Sequence, residues 1–308
     1  MDAYLPPLIA RLPAAPVTRF APAPTGWLHL GHVLNAHYVW EIARAIDGRV
    51  LLRIEDHDRT RARPEFEAGI LEDLDWLGFH ADIYPTDQFR AGPCDGRQSD
   101  RDSMYREAFE ILRAQGLVYA CDCSRASVES ASGDPRAPGA DRTPGLLRSA
   151  PGQALNPSEL HYPGRCRERQ LPLVDGYGWR ARMDPGIEVV DDVRLGEQRQ
   201  DPSQQCGDVL LRDRLGNWTY QFAVTVDDWR QGIDLVIRGT DLLASTGRQV
   251  RLARLLGRPR PPVFLHHPLI MKSPAQKLSK SDRDTGVRDL RARGWSAADV
   301  IEAAVRNA

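Results

Sequence analysis

A short apolar strand, a constrained turn and a helix stand in immediate succession near the N terminus, and this order limits the folds open to the chain. Residues 17–21, VTRFA, are predicted to form the strand, and the segment PAPTG at 22–26 ends it. Apolar residues at helical spacing begin at about Gly31, and a near-continuous apolar strand occupies 50–54. A second helix is predicted over 65–77. This order is the opening of a βαβ nucleotide-binding unit in an α/β fold.

Two histidines flank a glycine at the junction between the first strand and the first helix. The N terminus of a helix offers unpaired N–H groups and a positive dipole to anions. Gly31 would let a base or a ribose approach the backbone, and the imidazoles of His29 and His32 could donate to phosphates. On its own the pattern is equally consistent with structural histidines in a turn, but its position at the junction favours a phosphate site.

All the lysines of the chain lie in one short segment. The sequence has 41 basic residues, and only Lys272, Lys277 and Lys280 among them are lysines. Lysine is a compact charge on a flexible stem, whereas arginine is a planar fork suited to fixed contacts. The clustering could be chance in an arginine-rich chain. It is also what a mobile loop needs if it must follow a phosphate through a reaction.

The middle of the chain combines a low-complexity stretch with three cysteines. Residues 124–160 are rich in Ser, Ala, Gly and Pro and predict a flexible loop. Cys121, Cys123 and Cys166 lie on either side of it, and thiolates are soft ligands suited to zinc. Tetrahedral zinc needs a fourth donor, for which His161 and Tyr162 are both candidates, and three free cysteines without a metal are the alternative.

The composition is that of a globular protein of one large or two ordinary domains. Hydrophobic residues make up 42% of the 308 residues and charged residues 27%. The net charge of −1 gives no overall basic field. This does not exclude RNA binding, because acidic residues elsewhere can offset the charge of a basic face. Residues 1–16 are predicted to form a loose leader and do not have the pattern of a signal peptide. No apolar run approaches membrane-spanning length. We therefore expect a cytoplasmic protein, monomeric and without membrane contact.

Two segments resemble the signatures of class I aminoacyl-tRNA synthetases. Residues 22–32 resemble the "HIGH" motif of that family, and KLSKS at 277–281 resembles its "KMSKS" loop. The resemblance implies a Rossmann-type domain that binds ATP with Mg²⁺, with His29, His32, Lys277 and Lys280 as catalytic residues. The implied ATP contacts are Pro22, Thr25, Gly26, His29, Gly31, His32, Lys277, Ser279, Lys280 and Ser281.

Further segments resemble the glutamyl branch of the family: RFAP from 19, RIED from 53, YQFA from 220 and IRGTDLL from 237. The resemblance implies L-glutamate as substrate. Arginines can fork onto its carboxylates, a carboxylate can pair with its ammonium group, and a tyrosine hydroxyl can donate to it. The implied glutamate contacts are Arg19, Phe20, Ala21, Ala23, Glu55, Tyr220 and Arg238. A structural ion pair between Arg19 and Glu55 is the competing interpretation.

The resemblance is closest to the glutamyl-Q tRNA(Asp) synthetases, short homologues of the glutamyl enzymes. It implies a zinc site of Cys121, Cys123, Tyr162 and Cys166, and thereby favours Tyr162 over His161. It also implies glutamate activation without tRNA, followed by transfer to the queuosine base of tRNA(Asp).

The expected domain organisation follows from this resemblance. The predicted catalytic domain is split between 17–118 and 207–308, and 119–206 forms an inserted, zinc-bearing segment that faces the tRNA. The tail after Ser281 is too short for an anticodon-binding domain, so none is expected. A shortened glutamyl-tRNA synthetase that works with a separate partner and charges a 3′ end is the main alternative. A small-molecule nucleotidyltransferase and a non-catalytic RNA-binding module are weaker ones.

Overall fold

The computed structural model describes residues 2–132, 160–273, 276–277 and 286–308. Most of the predicted flexible loop, and Ser279, Lys280 and Ser281 of the lysine segment, lie outside the described residues. The described beginning of that loop differs from the prediction, because Arg125–Ser132 forms a helix. Its first turn is closed by the Ser124 carbonyl, which accepts from the N–H of Val128 at 3.1 Å.

The helices and strands alternate along the chain as the sequence predicts for its first third. The described helices are α1 (Leu5–Arg11), α2 (Leu30–Ala45), α3 (Pro64–Leu77), α4 (Thr86–Ala91), α5 (Asp102–Ala114), α6 (Arg125–Ser132), α7 (Pro202–Gln205), α8 (Tyr220–Arg230), α9 (Thr246–Leu255), α10 (Val287–Ala292) and α11 (Ala297–Arg306). The described strands are β1 (Val17–Phe20), β2 (Arg49–Leu52), β3 (Val118–Cys121), β4 (Gly178–Ala181), β5 (Glu188–Asp192), β6 (Gly196–Gln200), β7 (Val209–Arg212), β8 (Leu235–Gly239), β9 (Val263–His267), β10 (Met271–Ser273) and β11 (Gln276–Lys277). Short 3₁₀ turns occupy Asp2–Tyr4, Gln98–Arg101 and Thr240–Ser245.

The central sheet has the strand order β2-β1-β8-β9-β5-β6. Strands β2, β1, β8, β9 and β5 are parallel to their neighbours, and β6 pairs antiparallel with β5 at the edge. The chain leaves β1 for β2 on one side, and β8 later pairs on the other side of β1. In open α/β sheets the crevice for ligands lies at the carboxyl ends of strands where the order reverses in this way. The predicted α/β fold with a parallel sheet is confirmed.

The N-terminal residues pack on the core rather than forming the loose leader that we predicted. Helix α1 carries a proline in its first turn, where a missing N–H costs nothing, and Leu8 is completely buried. Arg11 pairs with Asp191 of β5 at 3.4 Å, which ties this helix to the sheet. Burial of the Leu8 side chain supplies a reason for the segment to be ordered.

A second, three-stranded antiparallel sheet has the order β3-β4-β7 and carries its own aromatic core. Trp179 of β4 packs against Phe109 of α5 with ring centroids 4.6 Å apart. This sheet contains part of the predicted insert, but β5 and β6 do not belong to it. They lie within 119–206 in sequence and extend the central sheet in space, so the predicted insert is smaller in the structure than in the sequence.

Candidate active site

The two histidines of the signature cap the N terminus of α2. The Nδ1 atom of His29 accepts from the Gly31 N–H at 3.0 Å, and the Nδ1 atom of His32 accepts from the His29 N–H at 3.2 Å. Their rings lie 3.9 Å apart. Because both Nδ1 atoms accept, the proton of each neutral imidazole resides on Nε2. A Cβ at position 31 would come within 2.9 Å of the His29 ring, so this arrangement requires glycine.

The turn before these histidines is held by backbone hydrogen bonds. The Pro22 carbonyl accepts from the Glu55 N–H at 3.0 Å, and the Pro24 carbonyl accepts from the Arg63 N–H at the same distance. Within the turn, Thr25 donates its N–H to the Ala23 carbonyl at 2.8 Å. The predicted ATP-binding segment is therefore fixed to the chain that follows β2.

The residues after the lysine segment return to the same place. Gly286 forms an isolated antiparallel bridge with His29, and Val287 donates its N–H to the Leu28 carbonyl at 2.9 Å. Before the segment, β10 and β11 form an antiparallel pair that contains the backbone of Lys277. The chain that carries the lysines thus re-enters the described structure at the histidine signature.

A buried network of arginines and carboxylates lies at the carboxyl end of β1. Arg19 donates its Nε–H to Asp228 at 3.1 Å, and Arg53 donates to the same carboxylate at 2.9 Å and to Glu55 at 3.2 Å. The competing interpretation of a direct Arg19–Glu55 pair is therefore not what the structure has. Burial alone would raise the pKa of Asp228, but the two arginines lower it below its usual range.

Glu55 has too little positive charge around it to balance its burial. Burial raises its pKa above the usual range, although Arg53, His57 and Arg19 oppose the shift. A buried carboxylate in this state gains from a further cation. Tyr220, the first residue of α8, shares this environment, and burial followed by the charge of Glu55 raises the pKa of its hydroxyl.

Arg238, in β8, is 2% exposed and has only neutral hydrogen-bond partners. Its Nε–H donates to His266 at 3.0 Å, and its two terminal nitrogens donate to Gln249 at 2.7 Å and Thr246 at 2.8 Å. Within the described residues no carboxylate lies at ion-pair distance from it, and burial lowers its pKa. A buried guanidinium without a counter-ion is costly, so this site favours an anionic ligand.

The remaining predicted glutamate contacts differ in how accessible their side chains are to a ligand. The ring of Phe20 is buried and packs edge-on against Trp40 with centroids 5.5 Å apart, so only its backbone is left for a ligand. Ala21 and Ala23 are half-buried in the turn that follows β1. Arg53 and Asp228 were not predicted as site residues. Their motifs, RIED and VDD, are visible in the sequence, but 175 residues separate the pair.

Three thiols and a phenol converge at the edge of the second sheet. The sulfur atoms of Cys121, Cys123 and Cys166 all lie within 4.8 Å of one another, and Cys123 Sγ is 3.6 Å from Cys166 Sγ. The Tyr162 hydroxyl is 3.3 Å from Cys121 Sγ and 3.9 Å from Cys123 Sγ. His161 instead places its Nε2 atom 3.1 Å from the Ser203 carbonyl. The donor set near the cysteines therefore includes the tyrosine.

The electrostatics of this cluster fit a bound cation. Burial and the negative charge of the neighbouring thiols raise the pKa of Cys123 to about 11. Three thiolates so close together need a positive charge, and soft sulfur donors in a tetrahedral set are suited to zinc. Arg180 stacks over the Tyr162 ring at 3.7 Å and fixes its orientation. These residues could hold a metal ion.

A cavity of about 590 Å³ lies beside this cluster. Its lining includes Cys121, Cys123 and Tyr162 of the cluster and also Tyr220, which is a predicted glutamate contact. The cysteine cluster and one residue of the predicted amino-acid site therefore line the same space. No helix in the described ranges is both long and apolar enough to cross a membrane.

Comparison with known proteins places the chain in a family. A family model for class I tRNA synthetases (E and Q), catalytic domain, matches residues 16–306. A glutamyl-Q tRNA(Asp) synthetase of Rhodobacter capsulatus is 40% identical over 296 residues, which cover 92% of this chain and 98% of the relative. A protein of the same name in Nitratidesulfovibrio vulgaris is 37% identical and covers 92% of this chain and 83% of that relative.

Two proteins named as glutamate–tRNA ligases are also similar to this chain. Glutamate–tRNA ligase 1 of Acidithiobacillus ferrooxidans is 38% identical, over 90% of this chain and 54% of the ligase. The crystal structure of a glutamate tRNA ligase from Elizabethkingia meningosepticum in complex with its amino acid is 29% identical, with a TM-score of 0.69. The match covers 88% of this chain and 53% of that one, so the chain spans about half the length of the solved structure. From the family match along nearly all of its length, the chain belongs to the class I tRNA synthetases for glutamate and glutamine and is a ligase.

Proposed function

We propose that the chain activates L-glutamate with ATP and transfers it to the queuosine base in the anticodon loop of tRNA(Asp). The observation that supports glutamate most directly is a pair of incompletely balanced charges in one buried site. Glu55 shares its arginine partner, Arg53, with Asp228, and Arg238 has no carboxylate partner among the described residues. A zwitterion with an additional carboxylate supplies both missing charges.

In this proposal each part of glutamate has its own partner. The fork of Arg238 binds one carboxylate, Glu55 pairs with the ammonium group, and the Tyr220 hydroxyl donates to a substrate oxygen. Arg19 lies beside them on β1, where Asp228 and the Ile237 carbonyl hold its guanidinium at 3.1 Å and 3.2 Å. Arg19 therefore faces the substrate in a fixed orientation.

The first reaction forms a mixed anhydride. A carboxylate oxygen of glutamate attacks the α-phosphorus of ATP, a new P–O bond forms, and the bond to the departing pyrophosphate breaks. The nucleophile is already ionised, so no general base is required. The Nε2–H groups of His29 and His32 donate to phosphate oxygens, while Lys277 and Lys280 balance the charge of the pyrophosphate with the Mg²⁺ that accompanies ATP.

The second reaction transfers the glutamyl group. A hydroxyl of the cyclopentenediol of queuosine attacks the carbonyl carbon of the anhydride, an ester forms, and AMP leaves with its bonding electrons. Relatives named glutamyl-Q tRNA(Asp) synthetase support this choice of acceptor, since one of them is matched over 98% of its length. The cavity beside Tyr220 is the proposed entry for the acceptor.

We further propose that Cys121, Cys123, Tyr162 and Cys166 bind one structural zinc ion. The ion would have a structural role and no catalytic one. Its four ligands come from both sides of the segment 124–160, so the ion would hold the two ends of that segment together. The Tyr162 N–H donates to the Cys206 carbonyl at 2.9 Å, so zinc bound at this tyrosine would also stabilise the chain that leads into β7. The segment 124–160 would face the tRNA.

The deciding experiment measures transfer of labelled glutamate, with ATP, to bulk tRNA from cells that contain queuosine and from cells that lack it. We expect label only in the first pool, and we expect it to survive removal of the tRNA 3′ end. Equal labelling of both pools at the 3′ end would instead identify a shortened glutamyl-tRNA synthetase. The similarity to the Acidithiobacillus ferrooxidans ligase makes that the second candidate.

A further inference from the structure

Three buried residues form a chain of hydrogen bonds that ends at Arg238. Asp192 is the last residue of β5, His266 lies in β9, and Arg238 lies in β8. Strand β9 pairs with both of the others, and His266 is the register partner of Arg238. The exposed fractions of the three residues are 1%, 0% and 2%, in that order. Water therefore does not compete for these contacts.

The direction of each hydrogen bond is fixed by the arginine. The Nε–H of Arg238 can only donate, so the Nε2 atom of His266, at 3.0 Å, must accept. The proton of His266 then resides on Nδ1 and is donated to Asp192 Oδ2 at 2.7 Å. One tautomer of the imidazole satisfies both neighbours.

Asp192 is held in turn by the backbone. Its Oδ1 atom accepts from the N–H groups of Arg194 and Leu195 at 3.0 Å and 2.9 Å, and its Oδ2 atom also accepts from the His266 N–H at 3.1 Å. These contacts fix which oxygen faces the imidazole. The anchored end of the chain is therefore the Asp192 carboxylate, and the other end is the guanidinium of Arg238, which Gln249 and Thr246 also hold.

We propose that Asp192 and His266 are positioning residues that orient the guanidinium fork of Arg238 towards a carboxylate of glutamate. This inference rests on the proposed function. A carboxylate in place of His266 would orient the arginine equally well, but it would neutralise the arginine and compete with the substrate. A neutral imidazole fixes the geometry and leaves the charge for the ligand. The same arrangement favours glutamate over glutamine, whose amide carries no charge.

The first test compares His266→Gln with His266→Leu. Both variants lose the hydrogen bond to Asp192, but only glutamine offers an oxygen that can accept from the Nε–H of Arg238. We expect His266→Leu to raise the KM for glutamate by about tenfold or more relative to His266→Gln, since a hydrogen bond to a charged group is lost. The KM for ATP should be equal in the two variants. The measurement is glutamate-dependent exchange of pyrophosphate into ATP.

The second test is Asp192→Asn. The two backbone N–H groups hold the amide oxygen, so the NH₂ group faces His266 and forces its proton onto Nε2, against the Nε–H of Arg238. We expect a higher KM for glutamate and a narrower preference for glutamate over glutamine. The ¹⁵N chemical shifts of the His266 ring should report the exchanged tautomer.

The outcomes separate the two proposals. Equal glutamate KM values in His266→Gln and His266→Leu, with an active wild-type protein, would overturn the positioning role alone. A wild-type protein that shows no glutamate-dependent exchange would overturn the proposed function and the positioning role with it. The His266 pair gives its answer even where Asp192→Asn does not fold, because the two His266 variants lose the same contact to Asp192.

Discussion

Two buried arginines in this site meet opposite surroundings. Arg53 donates to Glu55 and to Asp228, whereas Arg238 donates to side chains that carry no charge. A guanidinium that is already paired with carboxylates stabilises the fold, and one held by neutral acceptors is prepared for a ligand. Arginine thus stabilises the fold at position 53, directly after β2, and is available for substrate binding at position 238 in β8.

This contrast predicts different effects of the same substitution. Arg53→Met should lower the free energy of unfolding by about 3–5 kcal/mol, because it leaves Glu55 buried without its arginine and Asp228 with Arg19 alone. Arg238→Met should cost less, since no ion pair is broken, but it should abolish glutamate activation. Urea denaturation and pyrophosphate exchange on both variants give the comparison. Similar losses of stability in the two would contradict it.

Lys280 is predicted to act on the transition state rather than on the fold. Lys280→Ala should slow adenylate formation by about a hundredfold or more, since a charge on the departing pyrophosphate is lost. Lys272→Ala is the matched control, because Lys272 lies in the same segment but outside the KLSKS motif. Single-turnover kinetics with equal rates for both variants would remove Lys280 from this role.

Asp73 of α3 makes the stability of the protein depend on pH. Burial raises its pKa to about 7, and Glu72 adds to this, whereas Arg288 and Arg291 oppose it. Between about pH 4 and 7 the folded protein keeps a proton that the unfolded chain releases, so stability falls as the pH rises across this window. Asp73→Asn should flatten this slope. Urea denaturation at pH 5, 6, 7 and 8 measures it, and parallel slopes in both proteins would contradict the assignment.

At the scale of elements, local signals were sufficient where the chain makes abrupt turns. The segment PAPTG and the following histidines predict the β1–α2 junction, and α3 was predicted to within one residue. The sequence does not predict α8 as a helix, because YQFAVTV has apolar residues at most positions and shows no helical period. The partners of Arg238 could not be predicted either, since His266 meets it only through the register of β8 and β9.

The contact between Tyr162 and Gly207 depends on a glycine. Gly207 has a φ of +66°, and a Cβ there would lie 1.9 Å from the Tyr162 carbonyl oxygen. Gly207→Ala should therefore lower the free energy of unfolding by about 3 kcal/mol or more and reduce the zinc content. Gly196→Ala is the control, because Gly196 has a φ of +70° but no heavy atom near its Cβ position. Its cost should be about 1 kcal/mol, from backbone strain alone. Equal costs would mean that the contact with Tyr162 is unimportant.

At the scale of the whole molecule, the cysteine cluster and Tyr220 line one cavity, yet the proposed metal site and the proposed glutamate site have separate roles. In the proposal, the thiols of Cys121 and Cys166 bind the zinc that holds the ends of the segment facing the tRNA. The proposed glutamate contacts lie instead on or shortly after strands β1, β2 and β8 and at the start of α8. Loss of the metal should therefore affect the two reactions unequally.

Cys121→Ser, or removal of zinc with a chelator, should impair transfer to tRNA more than glutamate activation. The expected order of events is loss of zinc, then loss of transfer, with pyrophosphate exchange largely retained. Metal analysis by mass spectrometry and the two activity assays on the same preparations test this. A purified wild-type protein without zinc, or equal loss of both reactions, would contradict it.

The strand order also determines when the protein can fold as it is synthesised. Strand β1 lies between β2 and β8, and Thr18 is paired with Leu235, more than two hundred residues later. The first βαβ unit leaves the ribosome early, but the side of β1 that faces β8 stays unpaired until β8 has been made. At roughly 5–20 residues per second this interval lasts about 10–45 s. During that time an apolar strand edge is exposed. Such an edge can pair with another chain, so we expect the nascent protein to depend on chaperones that prevent aggregation.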